Sequence, residues 1–200
     1  MKILVVKYLP SGANSNSKKL LDIFLKEVKN HQISEVDLLE NPAPIFNEES
    51  IQAYYKRNYG NQKLDEKEAK LLAENDKLIS QLKNHDLLVL AFPMHNFGAP
   101  AAIKAYLDAV IFNGETFEMG KKLMAGKKAL VLFTSGGIYS QDQFDFNYPN
   151  WNGIVFNLGI NFNLMGFDKH QIISTSLREN AEEKLQEKTK EIKEFLQNLN

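Results

Sequence analysis

Five short apolar runs, separated by segments long enough to form helices, constrain the fold of this chain more than any other feature. The runs are Ile3–Val6, Ile33–Leu38, Asp86–Ala91, Ala129–Thr134 and Gln171–Ser174. When helices connect successive strands, the strands run parallel in one sheet and the helices cover both of its faces. The pattern therefore predicts an α/β protein.

The segments between the runs carry apolar side chains at helical spacing. One stripe lies within residues 20–28, a second within 64–82, and a third runs from about Arg178 to Leu199. Such stripes are typical of core packing and indicate a fold rather than a function. Five strands in a chain of 200 residues favour a single domain over residues 1–200. They also favour a doubly wound, flavodoxin-like sheet of order 2-1-3-4-5, with a ligand over strands one and three.

Composition excludes several classes of protein and site. The chain has no cysteine, which excludes disulfides, thiolate metal sites and a cysteine nucleophile. Its net charge of −1 gives no broad electrostatic attraction for nucleic acid. The segment Met1–Lys7 lacks the long apolar core of a signal peptide, and no apolar run approaches the ~18 residues of a membrane-spanning helix. We therefore expect a soluble, cytoplasmic protein.

The loop after the first strand is a candidate phosphate site, because it leads into a helix through Ser15, Asn16 and Ser17. A helix N-terminus presents unpaired N–H groups and positive dipole potential, and hydroxyl and amide side chains add hydrogen bonds. The loop has neither G-x-x-x-x-G-K-[ST] nor G-x-G-x-x-G, so a single terminal phosphate, as on FMN, fits best. The alternative is that these residues are ordinary helix caps.

The loop after the third strand predicts one side of a flavin site. It consists of Pro93, Met94, His95, Asn96 and Phe97. In an open parallel sheet, ligands bind beyond the carboxyl ends of central strands. Asn96 and Phe97 can offer N–H groups and an apolar edge to a flat ring, and Met94 is expected to pack. His95 is a candidate general base, but we prefer a pocket-lining role because no Asp, Ser or Cys constellation accompanies it.

The loop after the fourth strand predicts the other side of that site. It consists of Thr134, Ser135, Gly136 and Gly137, followed by Ile138 and Tyr139. Adjacent glycines let the backbone approach a ligand, and their N–H groups can stabilise the negative charge that a reduced flavin develops near N1 and O2. Taken alone, Gly-Gly after a strand is an ordinary turn. All three loops leave one edge of the predicted sheet, which favours the flavin interpretation, with Tyr139 as a further candidate for the substrate pocket.

Two segments leave alternatives open. Asn41–Asn61 is too long for an ordinary connection and either contacts a partner subunit or forms a solvated surface excursion. A later aromatic run either forms a planar slot above the flavin or packs in the core and against a second subunit. Packing is favoured for Trp151 and Phe156, whereas Phe162 stays a candidate for substrate contact.

No competing catalytic constellation is present in the sequence. Four histidines are scattered, with neither H-E-x-x-H nor other metal-ligand spacing, and there is no G-x-S-x-G. We predict no metal site and no catalytic side chain. His31 and His85 lie in polar junctions between helix and strand and are expected to be solvated.

At these loops the chain resembles the FMN-dependent, NADH-using azoreductases and quinone reductases of bacteria, a branch of the flavodoxin-like superfamily. The matching segments are Lys2–Val6 with Ser15–Ser17, Asn41–Pro44, Ala91–Phe97, Gly114–Phe117, Gly126–Ala129 and Ser135–Tyr139. Three positions depart from the pattern. Leu9 stands where many relatives have serine, His95 where tyrosine is frequent, and Ser135 where some relatives carry arginine.

The resemblance implies tightly bound FMN, with NADH as the electron donor. Ser15, Asn16 and Ser17 would hold the phosphate, Met94 to Phe97 the dimethylbenzene and N5 side, and Thr134 to Gly137 the pyrimidine side. It also implies a homodimer with two flavin sites at the subunit interface.

The resulting hypothesis is a two-step ping-pong oxidoreductase. NADH passes a hydride to FMN and leaves, and a quinone or aromatic azo acceptor then takes two electrons at the same face. One alternative is a flavodoxin-type one-electron carrier that serves a protein partner. Another is a flavin-free binding domain, since fold does not fix function.

Overall fold

A computed structural model describes residues 1–137 and 153–199 of the chain. The strands are β1 (Lys2–Lys7), β2 (Gln32–Asp37), β3 (Leu87–Pro93), β4 (Lys128–Thr134) and β5 (Lys169–Thr175). The α-helices are α1 (Asn16–Glu27), α2 (Glu48–Asn58), α3 (Glu66–Lys83), α4 (Ala101–Val110), α5 (Gly153–Met165) and α6 (Ala181–Gln197). All five predicted strands are therefore confirmed.

The strands form one parallel sheet of order β2-β1-β3-β4-β5, which confirms the predicted flavodoxin-like topology. In its register, Lys7 of β1 lies opposite Ala91 of β3, and Pro93 of β3 lies opposite Thr134 of β4. The carboxyl ends of these three strands are thus neighbours, and the loops that follow them begin side by side.

Helices cover both faces of the sheet because successive strand residues point to opposite sides. Ile3 and Val5 of β1 belong to one buried cluster, which α1 and α6 complete. Leu4 and Val6 belong to the other, which α2, α3, α4 and α5 complete. The central strand β3 is buried over residues 87–92, as expected of a strand covered on both faces.

The segment Asn41–Asn61 contains α2, which the sequence analysis did not identify. The solvated-excursion alternative is wrong for the inner face of this helix, since Ala53 and Tyr54 are buried. The Tyr54 ring packs 4.5 Å from that of Phe112, and its hydroxyl accepts a hydrogen bond from the Asn113 N–H. Burial raises the pKa of Tyr54 to about 12. Helix α2 is therefore part of the core of this chain.

His85 is a second correction, because it is buried rather than solvated. Its Nδ1 lies 2.6 Å from the Gln81 carbonyl oxygen, and its Nε2 lies 2.8 Å from the Ser34 hydroxyl. A carbonyl only accepts, so Nδ1 donates, while the Ser34 hydroxyl can either donate to Nε2 or accept from it. Burial of this ring is tolerated because both nitrogens are satisfied. His31 is exposed, as predicted.

In the described part of the chain, no helix has the length and apolarity needed to cross a membrane.

Candidate functional site

Main-chain hydrogen bonds fix the three candidate loops relative to one another. The Tyr8 N–H donates to the Ala91 carbonyl at 2.9 Å, which joins the ends of β1 and β3. The Met94 N–H donates to the Thr134 carbonyl at 2.7 Å, which joins the ends of β3 and β4. The loops therefore start from one rigid edge of the sheet, as the sequence predicts.

The first loop ends in a helix cap. The Ser15 hydroxyl oxygen accepts from the Lys18 N–H at 3.3 Å, so the capping alternative is confirmed for this residue. Asn16 is exposed and starts α1, and no described residue accepts a hydrogen bond from the N–H of Asn16 or of Ser17. Two main-chain donors at a helix N-terminus thus remain available for an anion.

Ser17 has a different role from the one its position in the sequence suggests. Its side chain is fully buried, and its hydroxyl lies 2.8 Å from that of Thr134. This contact ties the first turn of α1 directly to the end of β4. A bound phosphate would therefore accept a hydrogen bond from the Ser17 N–H, while the Ser17 hydroxyl connects the first loop to the third.

Two lysines in this region, Lys7 and Lys18, are paired with carboxylates. Lys7 Nζ donates a hydrogen bond of 2.5 Å to the Glu35 carboxylate, and this bond raises the pKa of Lys7 above its usual value. Lys18 pairs with Asp22 at 2.7 Å. The electropositive character at the start of α1 therefore comes from the helix dipole, its N–H groups and Lys19, whose Nζ lies 3.0 Å from the Asn16 side-chain oxygen.

The second loop contains a tight turn with an unusual backbone. His95 and Gly98 exchange both main-chain hydrogen bonds, at 3.0 and 2.9 Å, around Asn96 and Phe97. Both central residues have positive φ, 46° for Asn96 and 64° for Phe97. Asparagine tolerates this conformation, but a bulky residue such as phenylalanine is an outlier in it. Strained, partly exposed residues of this kind cluster at ligand sites, which supports the position predicted for Phe97.

His95 and Met94 lie on either side of the start of this turn. The His95 ring is exposed and meets the Tyr8 ring edge-on at 5.9 Å, so it links the first and second loops. Among the described residues, its ring nitrogens have no hydrogen-bond partner. Met94 is partly buried against the core, which confirms the expected packing. The pocket-lining role of His95 stays a prediction.

Two hydrogen bonds from Ser135 hold the third loop in place. The Ser135 N–H donates to the Thr175 carbonyl at 3.1 Å, and the Ser135 hydroxyl donates to the Gly137 carbonyl at 2.6 Å. Gly136 is exposed. The guanidinium of Arg178 lies beside it, with one terminal nitrogen 3.2 Å from the place that a Cβ of residue 136 would occupy. The sequence analysis missed Arg178, although it follows the last strand at the same edge.

The predicted aromatic slot is wrong for Phe162. This side chain is fully buried, with its ring 5.4 Å from that of Phe167 and 5.6 Å from that of His170, so it belongs to the core. The interpretations of Tyr139, of the aromatic residues in 144–151 and of the Phe156 side chain lie outside the described residues. Within the described residues, no three His, Asp or Glu side chains are placed to hold a metal ion.

The chain is similar to known proteins in both sequence and fold. Residues 1–196 match a family model described as "Flavodoxin-like fold". The chain belongs to this family. Among its flavodoxin-like relatives, an FMN-dependent NADH:quinone oxidoreductase of Psychromonas ingrahamii is 34% identical over 166 residues, covering 80% of this chain and 79% of the relative. One of the same name from Escherichia coli is 33% identical over 167 residues, covering 80% and 82%.

A solved structure is similar to this chain over nearly the whole length of both proteins. An FMN-dependent NADH-azoreductase of Bacillus anthracis, solved in complex with FMN, is 27% identical to this chain and superposes on it with a TM-score of 0.84. The alignment covers 100% of this chain and 99% of the azoreductase.

Proposed function

We propose that residues 1–200 form a single flavodoxin-like domain that binds FMN and acts as an NADH oxidoreductase on quinones and aromatic azo compounds. The observation that carries this proposal is the meeting of three loops at the carboxyl edge of the sheet, with main-chain donors at one end and glycines at the other. The names of the relatives and of the solved azoreductase support the same activity. We propose a cytoplasmic location on the basis of the composition.

The residues present fit FMN along its length. Its phosphate suits the N–H groups of Asn16 and Ser17, with the Ser15 hydroxyl beside them. The segment from Pro93 to Phe97 offers an apolar edge for the ring, and Thr134 to Gly137 offers main-chain donors for the pyrimidine. The missing side chain at Gly136 leaves room for the Arg178 guanidinium beside this loop.

When bound, FMN supplies two-electron exchange between NADH and an acceptor. The protein binds and orients, and no nucleophilic side chain is required. The strained turn at Asn96 and Phe97 gives the ring a preformed apolar contact. His95, exposed and held against Tyr8, is placed to line the space open to substrate. The names of the relatives favour this activity over a one-electron carrier.

We expect NADH to bleach the visible flavin band of FMN-loaded protein in an anaerobic titration. The band should fall with one equivalent of NADH and return when a quinone is added, because two electrons move at each step. NADPH titrated in parallel gives the donor preference. Bound flavin that NADH leaves oxidised, or that accumulates in a one-electron form, would favour the carrier. A protein that binds no FMN would contradict the proposal.

Asn16→Pro tests the phosphate end of the site. Proline is well tolerated at the first position of a helix, and the extended backbone of Ser15 (φ −68°, ψ 122°) suits the residue before it. The change removes one N–H donor without breaking α1. Since a hydrogen bond to a charged group contributes roughly 1.5–3 kcal/mol, FMN affinity should fall about tenfold or more.

Asn16→Ala, which keeps the N–H, is the matched control, and riboflavin is the matched ligand without a phosphate. Fluorescence titration should show FMN affinity weakened in Asn16→Pro alone, with riboflavin unaffected. Equal losses for FMN and riboflavin would place the phosphate elsewhere.

We further propose that the protein is a homodimer with its two flavin sites at the interface. Helix α5 has no charged residue, and its Ile160 and Leu164 side chains are 41% and 43% exposed. Next to it, Pro44–Phe46, α4 and Asn161 line a groove of about 510 Å³, at which Ile45 is 81% exposed. The groove also contains the Lys104–Asp108 ion pair, and a second copy of the chain would cover the exposed apolar side chains around it.

Leu164→Lys should convert the dimer to monomer, because a lysine would be buried at the interface without a partner. Sedimentation velocity should show at least about a tenfold weaker association, and FMN affinity should fall with it. Leu39→Lys is the control, since Leu39 is similarly exposed but lies outside both α5 and the groove. A wild-type monomer, or a Leu164→Lys dimer as stable as wild type, would contradict the proposal.

A further inference from the structure

The guanidinium of Arg178 lies next to Gly136, on the side from which the Cβ of any other residue would project. Its nearest terminal nitrogen is 3.2 Å, its central carbon 3.7 Å and its Nε 3.9 Å from the ideal Cβ position of residue 136. A positive charge therefore lies against the backbone of the third loop.

The backbone that carries Arg178 is held in place. Thr175 accepts a hydrogen bond from the Ser135 N–H, and the Ser176 carbonyl accepts one from Lys184 Nζ at 2.9 Å. Leu177 is buried, and Asn180 takes a left-handed conformation to turn the chain into α6. The base of the Arg178 side chain is therefore fixed at this edge of the sheet.

The charge of Arg178 has no partner among the described residues: no carboxylate lies within ion-pair distance, and no hydrogen bond is made. The contrast is with Arg57, the other arginine of the chain, which contacts the Asp76 carboxylate through two hydrogen bonds of 2.8 Å. An unpaired guanidinium beside a glycine loop is available to an anionic ligand.

We infer that Arg178 provides the counter-charge for the pyrimidine end of reduced FMN. The inference rests on the proposed function and adds to it the residue that sets the redox potential. Uptake of two electrons and one proton converts neutral oxidised flavin to an anion whose charge lies near N1 and O2. A guanidinium at the third loop stabilises that anion more than the neutral form, so it raises the potential.

The test compares the two-electron midpoint potential of bound FMN, by equilibration with reference dyes, in wild type, Arg178→Met and Arg178→Lys. Water screens an exposed charge, so we expect Arg178→Met to lower the preference for reduced over oxidised FMN about tenfold. This corresponds to a potential about 30 mV lower. Arg178→Lys should stay within about threefold of wild type. Lys190→Met, an exposed lysine of α6 with the same change of net charge, should have no effect.

A second measurement needs no substitution at position 178: added KCl should lower the potential of the wild type through screening. A potential that neither Arg178→Met nor KCl lowers would overturn the inference while leaving FMN binding intact. An equal drop in Arg178→Lys and Arg178→Met would also overturn it, because packing on Gly136 rather than charge would then be responsible. A wild type that binds no FMN would instead remove the proposed function, and the inference with it.

Discussion

The buried hydrogen bond between the hydroxyls of Ser17 and Thr134 is the interaction on which the candidate site depends. It connects the first turn of α1 to the end of β4, residues that are 117 positions apart in the chain. Both side chains are shielded from water, so loss of either would leave a buried hydroxyl unpaired at a cost of roughly 1–3 kcal/mol. The bond therefore holds the N-terminus of α1 and the glycine loop in a fixed relation.

The parallel sheet supplies the rest of that fixed relation. Strands β1, β3 and β4 are neighbours in the sheet. Main-chain hydrogen bonds therefore join the start of each loop to the end of the adjacent strand. The site then needs little from individual side chains. Main-chain N–H groups at α1, the left-handed turn at Phe97 and the backbone at Gly136 would form most of it, and Arg178 adds a charge without a carboxylate partner among the described residues.

The sequence predicts those features that depend on local pattern. Apolar runs located the five strands, and the order 2-1-3-4-5 followed from their number and from the alternation of strand and helix. The sequence also predicts that the loops containing Ser15–Ser17, Pro93–Phe97 and Thr134–Gly137 lie side by side, because parallel topology fixes which ends of strands meet. The cap at Ser15 followed from a standard residue preference.

Features that depend on tertiary partners were missed. Helix α2 carries many polar residues, and its stability comes from Tyr54 packing on Phe112 and from ion pairs to α3, such as Lys56 with Glu68. His85 was placed in solvent because its partners, Gln81 and Ser34, are visible only in the fold. The sequence leaves Phe162 as a candidate for substrate contact, because a core aromatic and a pocket aromatic look alike in sequence. Arg178 was missed because it is far from Gly136 in the sequence, and only the pairing of β4 with β5 brings the two residues together.

Hydrogen–deuterium exchange of the wild type with and without FMN tests the central claim that three loops form one flavin site. The account predicts slower exchange in peptides covering residues 9–19, 93–99 and 134–137, all at the same FMN concentration, with α3 unchanged as the internal control. Protection of one loop alone, or protection centred away from the carboxyl edge of the sheet, would contradict it.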